Sequence, residues 1–409
     1  MKAAVRVSER VMKVAICGFG TVGSGCYEVL TTNAARIAAQ VGCPVEIKYI
    51  CDIREFPGHP AEKLIVKDFS VIENDPEVDV VMEVMGGKTF AYDFTKRALL
   101  KGKSVCTSNK ELVSAHGAEL LKLAKEHNCN YFFEASVGGG IPCIRPMITS
   151  LTADRILEMK SIINGTTNYI LTKMRDENMD FSDALKQAQA NGFAEANPAA
   201  DIEGMDAARK TSIFASLVTG KQVDVEDIYT EGITAVTATD IAYAKKLKAT
   251  IRLFSLIREC NGSYVAMVAP FLIRSNCQLF FVDDVFNAVT VKGNAVGDLM
   301  FYGRGAGSLP TASAVVADCV EACRNLGRTL PVYWEEEKFE LASKDSLKSN
   351  FFVRVPAAEA DKAKNIFNIS ETVDAIGDEF AFVTDVLTDS EFEAKKEGLT
   401  IINRIRCDF

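Results

Sequence analysis

Little in this sequence can do acid–base chemistry through an imidazole. Only three histidines occur, His59, His116 and His127. His59 stands in a Pro-Gly-His-Pro loop and the others flank helix-like segments. None has a convincing catalytic setting, so a histidine-based mechanism is disfavoured. Dense Lys/Arg runs, RNP patterns and zinc-finger spacings are missing too, and the net charge is -9. That excludes a general nucleic-acid binder, which must present clustered basic surface to phosphates. No window of about twenty apolar residues is available to span a bilayer. Met1 to Val11 is polar and mixed in charge, without the apolar centre of a signal peptide. CxxC pairs are absent although twelve cysteines are present. Their spacing is irregular, from Cys17 and Cys26 to Cys319, Cys323 and Cys407, and several sit inside apolar runs. Buried free thiols in a reducing compartment fit better than a disulfide framework. A cytoplasmic protein is expected, with neither membrane nor nucleic acid among its partners.

What is present fits a large soluble globular chain. Its 409 residues are 48% hydrophobic and 25% charged, enough for about two or three domains with substantial cores. Lys13 to Cys17 reads as a buried strand, followed by Gly18-Phe19-Gly20-Thr21-Val22-Gly23 and a helical pattern through Tyr27, Val29 and Leu30. Strand, glycine-rich turn and helix is the order of a dinucleotide-binding unit. Gly18 permits the tight turn, Gly20 leaves room for a pyrophosphate, and Gly23 lets helix and strand approach. The helix N-terminus offers free N–H groups to the phosphates. A glycine turn used only for packing is the other reading.

A second strand, Val45 to Cys51, ends at Asp52. A carboxylate there accepts hydrogen bonds from the adenosine ribose and favours NAD, whereas Arg54 would hold a 2′-phosphate. The pair leaves the preference open, and either side chain could simply be solvated. The spacing from the glycines exceeds the usual twenty or so residues, which implies an extended first helix or a loop. A third apolar run, Val78 to Val84, ends at Met85-Gly86-Gly87, and helix-like Phe94 to Lys101 and strand-like Ser104 to Thr107 follow. The alternation argues for a parallel sheet with helices on both faces. The fourth strand runs into Ser108-Asn109-Lys110. Ligands bind at the carboxyl ends of such strands, so Lys110 either points to the nicotinamide end or is a surface lysine. Asn130 to Glu134 then leads into the glycine-rich Ala135 to Pro142. That turn either aims carbonyls at a cation with Glu134 as charged ligand or is a hinge between domains.

After Ile141 the pattern changes. Ile156 to Ile163 reads as a strand, and Asn164-Gly165-Thr166-Thr167-Asn168 opens a helix over Tyr169 to Met174. Small amides and hydroxyls at a helix start make a cap, and equally a site for a zwitterion. An amphipathic helix, Phe181 to Ala190, precedes the polar segment Gly192 to Lys210. Asp206 and Lys210 stand one helical turn apart with their heads on one face, and Glu195 and Asp201 lie in the loop before them. An exposed salt bridge with an acidic N-terminal cap is the bland reading.

Gly18 to Gly23, Ser108 to Lys110, Glu134 to Pro142, Asn164 to Asn168, Gly192 to Lys210 and Phe301 to Gly307 together resemble the homoserine dehydrogenases. The resemblance spans roughly residues 12–325 in one order. It implies an oxidoreductase interconverting L-aspartate 4-semialdehyde and L-homoserine with NAD or NADP. Lys210 would protonate the developing alkoxide, and Lys110 would polarise the same oxygen and contact the cofactor. Asp206 and Glu195 would bind the amino end of the substrate, Asp201 would shape the site, and Gly165 and Thr166 would contribute backbone and hydroxyl contacts. Phe19, Thr21, Val22, Ser108, Gly192 and Gly307 would join Gly18, Gly20, Gly23, Asp52 and Arg54 around the dinucleotide. Sodium or a similar monovalent ion would be held by Glu134 and the carbonyls of Val137, Gly139 and Ile141. A lysine proton donor is chemically reasonable, because a second lysine nearby lowers its pKa by like-charge repulsion.

The tail reads as strand Ser349 to Val355, helix Ala358 to Phe367, strand Phe380 to Val386, helix Glu391 to Glu397 and strand Ile401 to Cys407. The order resembles an ACT module, except that a second strand between Phe367 and Glu379 is poorly marked. It either senses an amino acid such as threonine or serves structure or dimerisation. The expected architecture is α/β. A Rossmann-type parallel-sheet nucleotide domain covers residues 1–140, and a helix near 306–327 returns to it. An α+β substrate-binding and dimerisation domain follows over 141–330, then a ferredoxin-like ACT-type tail over 331–409. A homodimer or homotetramer is expected, and no aspartokinase segment on this polypeptide. A phosphorylating semialdehyde dehydrogenase would need Cys143 as nucleophile, with no partnered histidine evident. A nucleotide-dependent sensor without turnover would need neither Lys110 nor Lys210.

Overall fold

The computed structural model describes residues 10–409. Residues 1–9, most of the stretch read as lacking a leader, lie outside the described residues. Two compact units divide the chain. The first holds residues 10–152, Ser216–Gln222 and Gly303–Phe339, and the second Ala153–Ala215, Val223–Tyr302 and Glu340–Phe409.

The first unit opens with β1 (Met12–Cys17), α1 (Thr21–Thr32), α2 (Ala34–Val41), β2 (Val45–Cys51), β3 (Ile65–Val66) and α3 (Ser70–Asn74). It continues with β4 (Val78–Glu83), α4 (Thr89–Leu100), β5 (Ser104–Thr107), α5 (Lys110–Glu126), β6 (Tyr131–Phe132), α6 (Ala135–Gly138) and α7 (Ile144–Thr149). The strands pair in parallel in the order β3-β2-β1-β4-β5-β6. This is the doubly wound order whose ligand crevice opens where the winding reverses, between β1 and β4. Near-continuous apolar runs favour such a sheet, since both faces are covered. The long spacing between the glycines and Asp52 holds two helices, not one extended helix. α1 closes at Asn33, and α2 restarts there and ends on left-handed Gly42. β6 is shorter than the expected Asn130 to Glu134 because Glu134 already has helical dihedrals.

Val14, Ile16, Ile50, Val80, Met82 and Cys106 from the strands form one core with Cys26 and Leu30 of α1. Val315, Cys319 and Ala322 from the helix Ser308–Arg324 complete it. Each fully buried branched side chain there contributes about 1.5–3 kcal/mol, so this distant segment is held to the sheet by burial. All twelve cysteines are free and ten are buried, as their place in apolar runs implied. No helix among the described residues is long and apolar enough to cross a membrane.

The second unit is built on a ten-stranded mixed sheet. The strands Gly297–Arg304, Phe286–Gly293, Ile156–Ile162, Ala249–Cys260 and Ser263–Arg274 lie side by side in that order. The helix opened by Asn164 runs over Gly165–Asp176, and the amphipathic helix forms over Phe181–Ala190. In the tail, Asn350–Pro356 lies between Asn403–Asp408 and Glu379–Thr384, and Ile369–Val373 pairs beyond the latter. This is a split βαβ arrangement. The poorly marked second strand therefore exists. It is an edge strand whose residues run from exposed Ser370 and Thr372 to buried Val373, and its ladder supplies the order that its weak apolar pattern does not. Asn403–Asp408 also pairs in parallel with Ser263–Arg274, which joins the tail to the large sheet.

Gly23 tests the packing of the glycine turn. A Cβ there would stand 1.9 Å from the Gly18 carbonyl oxygen. Gly23→Ala is expected to destabilise the first unit by about 3 kcal/mol or more and to abolish dinucleotide binding. Denaturant unfolding with a binding titration checks both.

Candidate active site

At the carboxyl edge of the parallel sheet, the turn after β1 is made by Gly18, whose φ of +94° only glycine adopts without strain. Gly20 is the N-cap of α1 and supplies no side-chain cap, so the first-turn N–H groups stay open to an anion. A Cβ on Gly20 would meet only the Arg54 guanidinium, 3.8 Å away. These residues fit a dinucleotide: a glycine cradle, an uncapped helix start and a carboxylate beside them. The Phe19 side chain faces inward, edge-on to Tyr27, Phe56 and His59. Val22 packs against the core. Gly307 caps the helix Ser308–Arg324, and the Ser308 hydroxyl donates to the Thr21 carbonyl at 2.6 Å, which brings Thr21 and Gly307 together.

Asp52 and Arg54 are not independent solvated groups. The Asp52 carboxylate accepts the N–H groups of Phe19 (2.7 Å) and Arg54 (2.9 Å) and both arms of the Arg54 guanidinium, at 3.0 and 2.7 Å. The guanidinium beside it holds the Asp52 carboxyl well below the usual carboxylate range. Arg54 also lies over the Phe56 ring.

Asn109 caps α5, accepting from the N–H groups of Glu111 and Leu112, and so sets Lys110 at the first position of that helix. Ser108 and Lys110 are half-buried. Sequence reasoning missed Glu83, the last residue of β4, which is 1% exposed. The signal was a carboxylate closing the apolar stretch Val80 to Met82. It accepts the Met85 N–H at 2.8 Å and the Thr107 hydroxyl at 2.5 Å, and burial pushes its carboxyl up to about 7.

Glu134, expected as a charged ligand or as part of a hinge, is buried at the end of the sheet. Its carboxylate accepts the N–H groups of Cys143, Ile144 and Arg145 at 2.7, 2.8 and 2.6 Å and so anchors the start of α7. Its own N–H donates to buried Asp318, which pairs with Arg145. Val137 and Ile141 are buried. Gly139, with φ of +57°, packs so closely on Gly305 that a Cβ would lie 2.3 Å from its carbonyl oxygen. Among the described residues no group of three or more His, Cys, Asp or Glu side chains could hold a metal. Cys143 is buried, and burial holds its thiol well above its ordinary pKa, which disfavours the thiolate that a nucleophile needs.

In the second unit, Asp206 and Lys210 form a salt bridge at 2.8 Å with both residues buried, 5% and 8% exposed. The expected alternative of an exposed pair is overturned. The Lys210 ammonium also donates to the Ile163 carbonyl at 2.7 Å. Asn164 organises this cluster. Its oxygen accepts from the N–H of Thr167, and its amide donates to Asp201 at 2.7 Å and to Asp206 at 2.9 Å. Thr166 donates to the Phe193 carbonyl at 2.6 Å, and Gly165 is closed in by Val285. Glu195 and Gly192 stay exposed on the connecting loop, where the Glu195 carbonyl accepts from Gln189. The Asp206 carboxylate thus meets both the Lys210 ammonium and the Asn164 amide, which also reaches Asp201.

A family model described as homoserine dehydrogenase matches residues 142–320, and one described as homoserine dehydrogenase, NAD binding domain, matches residues 18–134. The homoserine dehydrogenase of Bacillus subtilis is 43% identical over 321 residues, which is 78% of this chain and 74% of that protein. The crystal structure of a homoserine dehydrogenase from Thiobacillus denitrificans matches with a TM-score of 0.89 at 33% identity, covering 98% of each chain. A hyperthermophilic archaeal homoserine dehydrogenase in complex with NADPH matches with a TM-score of 0.68 at 27% identity, covering 79% of this chain and 100% of that one.

Asn164→Ala removes a helix cap and leaves two carboxylates short of a donor. Unfolding free energy is expected to drop by about 2 kcal/mol, read as a lower urea midpoint. An unchanged midpoint would show that the bridge does not stabilise the unit.

Proposed function

The chain belongs to the homoserine dehydrogenase family, and on that premise we propose that Lys210 moves the proton of its reaction and that Asp206, Asp201 and Asn164 hold the amino-acid end of the substrate. It is an NAD(P)-dependent oxidoreductase of aspartate-pathway amino-acid biosynthesis, interconverting L-aspartate 4-semialdehyde and L-homoserine. The observation that carries the assignment is the buried Asp206–Lys210 pair. A buried ammonium costs several kcal/mol unless paired and hydrogen-bonded, so it is kept for a purpose. Two of its three N–H bonds go to Asp206 and the Ile163 carbonyl, which leaves the third for a substrate oxygen.

When bound, the reduced nicotinamide supplies the hydride to the aldehyde carbon. Lys210 gives its proton to the oxygen as charge develops there, and in the oxidative direction takes it back from the hydroxyl. Asp206 holds the lysine in place and, with Asp201, offers negative charge to the substrate ammonium. Glu195, exposed beside this cluster in sequence, is assigned to the same ammonium, with Gly165 and Thr166 shaping the floor. In the first unit, Gly18 to Gly23 and Gly307 cradle the pyrophosphate, and Lys110 and Ser108 serve the nicotinamide end. Gly192 is assigned to the cofactor as well. Asp52, already neutralised by Arg54, brings no net charge to the ribose, which supports use of NAD and NADP alike.

The Ala135 to Pro142 turn is assigned a monovalent cation such as sodium. Carbonyl oxygens of Val137, Gly139 and Ile141 without an acidic cluster suit a singly charged ion better than a divalent one. Glu134 would then act from behind, tying the turn to α7. The split βαβ order of the tail supports an ACT-type regulatory unit with an amino-acid effector such as threonine. A homodimer or homotetramer and a cytoplasmic setting complete the reading, the latter supported by the free buried thiols.

Purified protein is expected to reduce both NAD and NADP in the presence of homoserine, followed at the nicotinamide absorbance. Lys210→Ala should lower kcat by about 10²–10⁴-fold with dinucleotide affinity retained. Near-normal turnover in that variant would remove Lys210 from the chemistry.

A further inference from the structure

We propose that Glu83 is a positioning residue for the cofactor. Its carboxylate ties the Met85–Gly87 turn to the first turn of α5, which carries Lys110. The inference rests on the reading that this unit holds the dinucleotide with Lys110 at its nicotinamide end.

Packing alone gives no reason for a carboxylate at this position. Val80 and Met82 precede it on β4 and are fully buried, and another apolar residue would continue the run without the desolvation cost of a charge. What the carboxylate adds is a closed ring of hydrogen bonds. Glu83 accepts the Met85 N–H at 2.8 Å and the Thr107 hydroxyl at 2.5 Å. The Thr107 oxygen accepts the Asn109 N–H at 2.9 Å. The Asn109 amide donates to the Gly87 carbonyl at 2.6 Å, which returns the ring to the turn after β4. The same Asn109 oxygen caps α5 through the N–H groups of Glu111 and Leu112, both at 3.1 Å.

The ring therefore fixes two surfaces at once. One is the start of α5, whose first residue is Lys110. The other is the backing of the glycine turn, because Gly18 packs so tightly there that a Cβ would lie 2.9 Å from Met85 Cγ and 3.1 Å from the Val84 carbonyl oxygen. β1, β4 and β5 are neighbours in the sheet, so the ring sits where the winding reverses and ligands of such folds bind.

The ring depends on ionisation. An ionised Glu83 accepts from both donors through charge-assisted bonds, whereas a protonated one donates its O–H to Thr107, turns the Thr107 proton out of the ring and leaves only weaker neutral bonds. Burial brings this carboxyl to about 7, inside the working range. The other titratable groups facing it are the Cys17 thiol on β1 and the Tyr131 hydroxyl on β6, which is buried without a hydrogen-bond partner. Burial raises both well above their ordinary values, so they stay neutral across that range.

The test is NADPH affinity by fluorescence titration between pH 6 and pH 8.5, with thermal unfolding of each protein recorded alongside. The wild type is expected to bind about tenfold more weakly at pH 6 than at pH 8. Glu83→Gln, which mimics the protonated acid, should bind weakly and equally at every pH while keeping or raising its unfolding midpoint. Thr107→Val should weaken binding in the same direction with Glu83 intact. Wild-type affinity in folded Glu83→Gln at pH 8, or a pH dependence surviving in it, overturns the proposal. So does a loss of binding matched by a fall in its midpoint, which marks a merely structural role. A wild type that binds NADPH at no pH would instead sink the dinucleotide reading on which the inference stands.

Discussion

Buried carboxylates accepting main-chain N–H groups organise the functional edge of this molecule. Three stand at or just past the ends of parallel strands: Asp52 after β2, Glu83 at the end of β4 and Glu134 after β6. Each takes an N–H from a loop at that edge: Phe19 and Arg54, then Met85, then Cys143 to Arg145. A turn leaving a buried sheet has donors that water cannot reach, and an ionised carboxylate satisfies them about twice as strongly as a neutral acceptor. The glycine turn, the Met85–Gly87 turn and the glycine-rich segment after β6 take their shapes from these anchors.

The second unit solves a different problem with the same groups. Exposed ion pairs one helical turn apart contribute little, about 0.3–0.5 kcal/mol. Burying Asp206 and Lys210 gives up that modest gain and incurs desolvation. Hydrogen bonds from the Asn164 amide to Asp206 and from Lys210 to the Ile163 carbonyl help to offset that cost. Arranged this way, the lysine is oriented and partly dehydrated by its own protein partners, which is the preorganisation that the proposed proton transfer would call on.

The tail shows how sheet context decides strands that composition leaves ambiguous. Ile369–Val373 has no strong apolar alternation, yet it forms because Glu379–Thr384 offers a ladder. Asn403–Asp408 closes the tail and pairs with Ser263–Arg274. A stretch that reads as a separate module is therefore hydrogen-bonded into the large sheet of the second unit, a continuity that no local pattern announces.

Local pattern determined a good deal. Val, Ile and Met runs bounded by glycine marked the parallel strands, and the 3.6-residue period marked Phe181–Ala190 with the bounds it has. Gly18 and Gly23 announced the nucleotide turn because only glycine meets its steric demands there, while Gly20 leaves the helix start open. Asn164 was legible as a cap, since capping acts over three residues. Its second role was not, because Asp201 and Asp206 lie 37 and 42 residues away and meet it only through folding. For the same reason sequence alone could not show that Arg54 pairs with Asp52, that the Glu134 carboxylate accepts from the start of α7, or that Glu83 joins the turns after β4 and β5. Periodicity and propensity are short-range and survive in a string of letters. The direction in which a buried carboxylate spends its hydrogen bonds is set by backbone that other parts of the chain bring to it, and that is decided only in three dimensions.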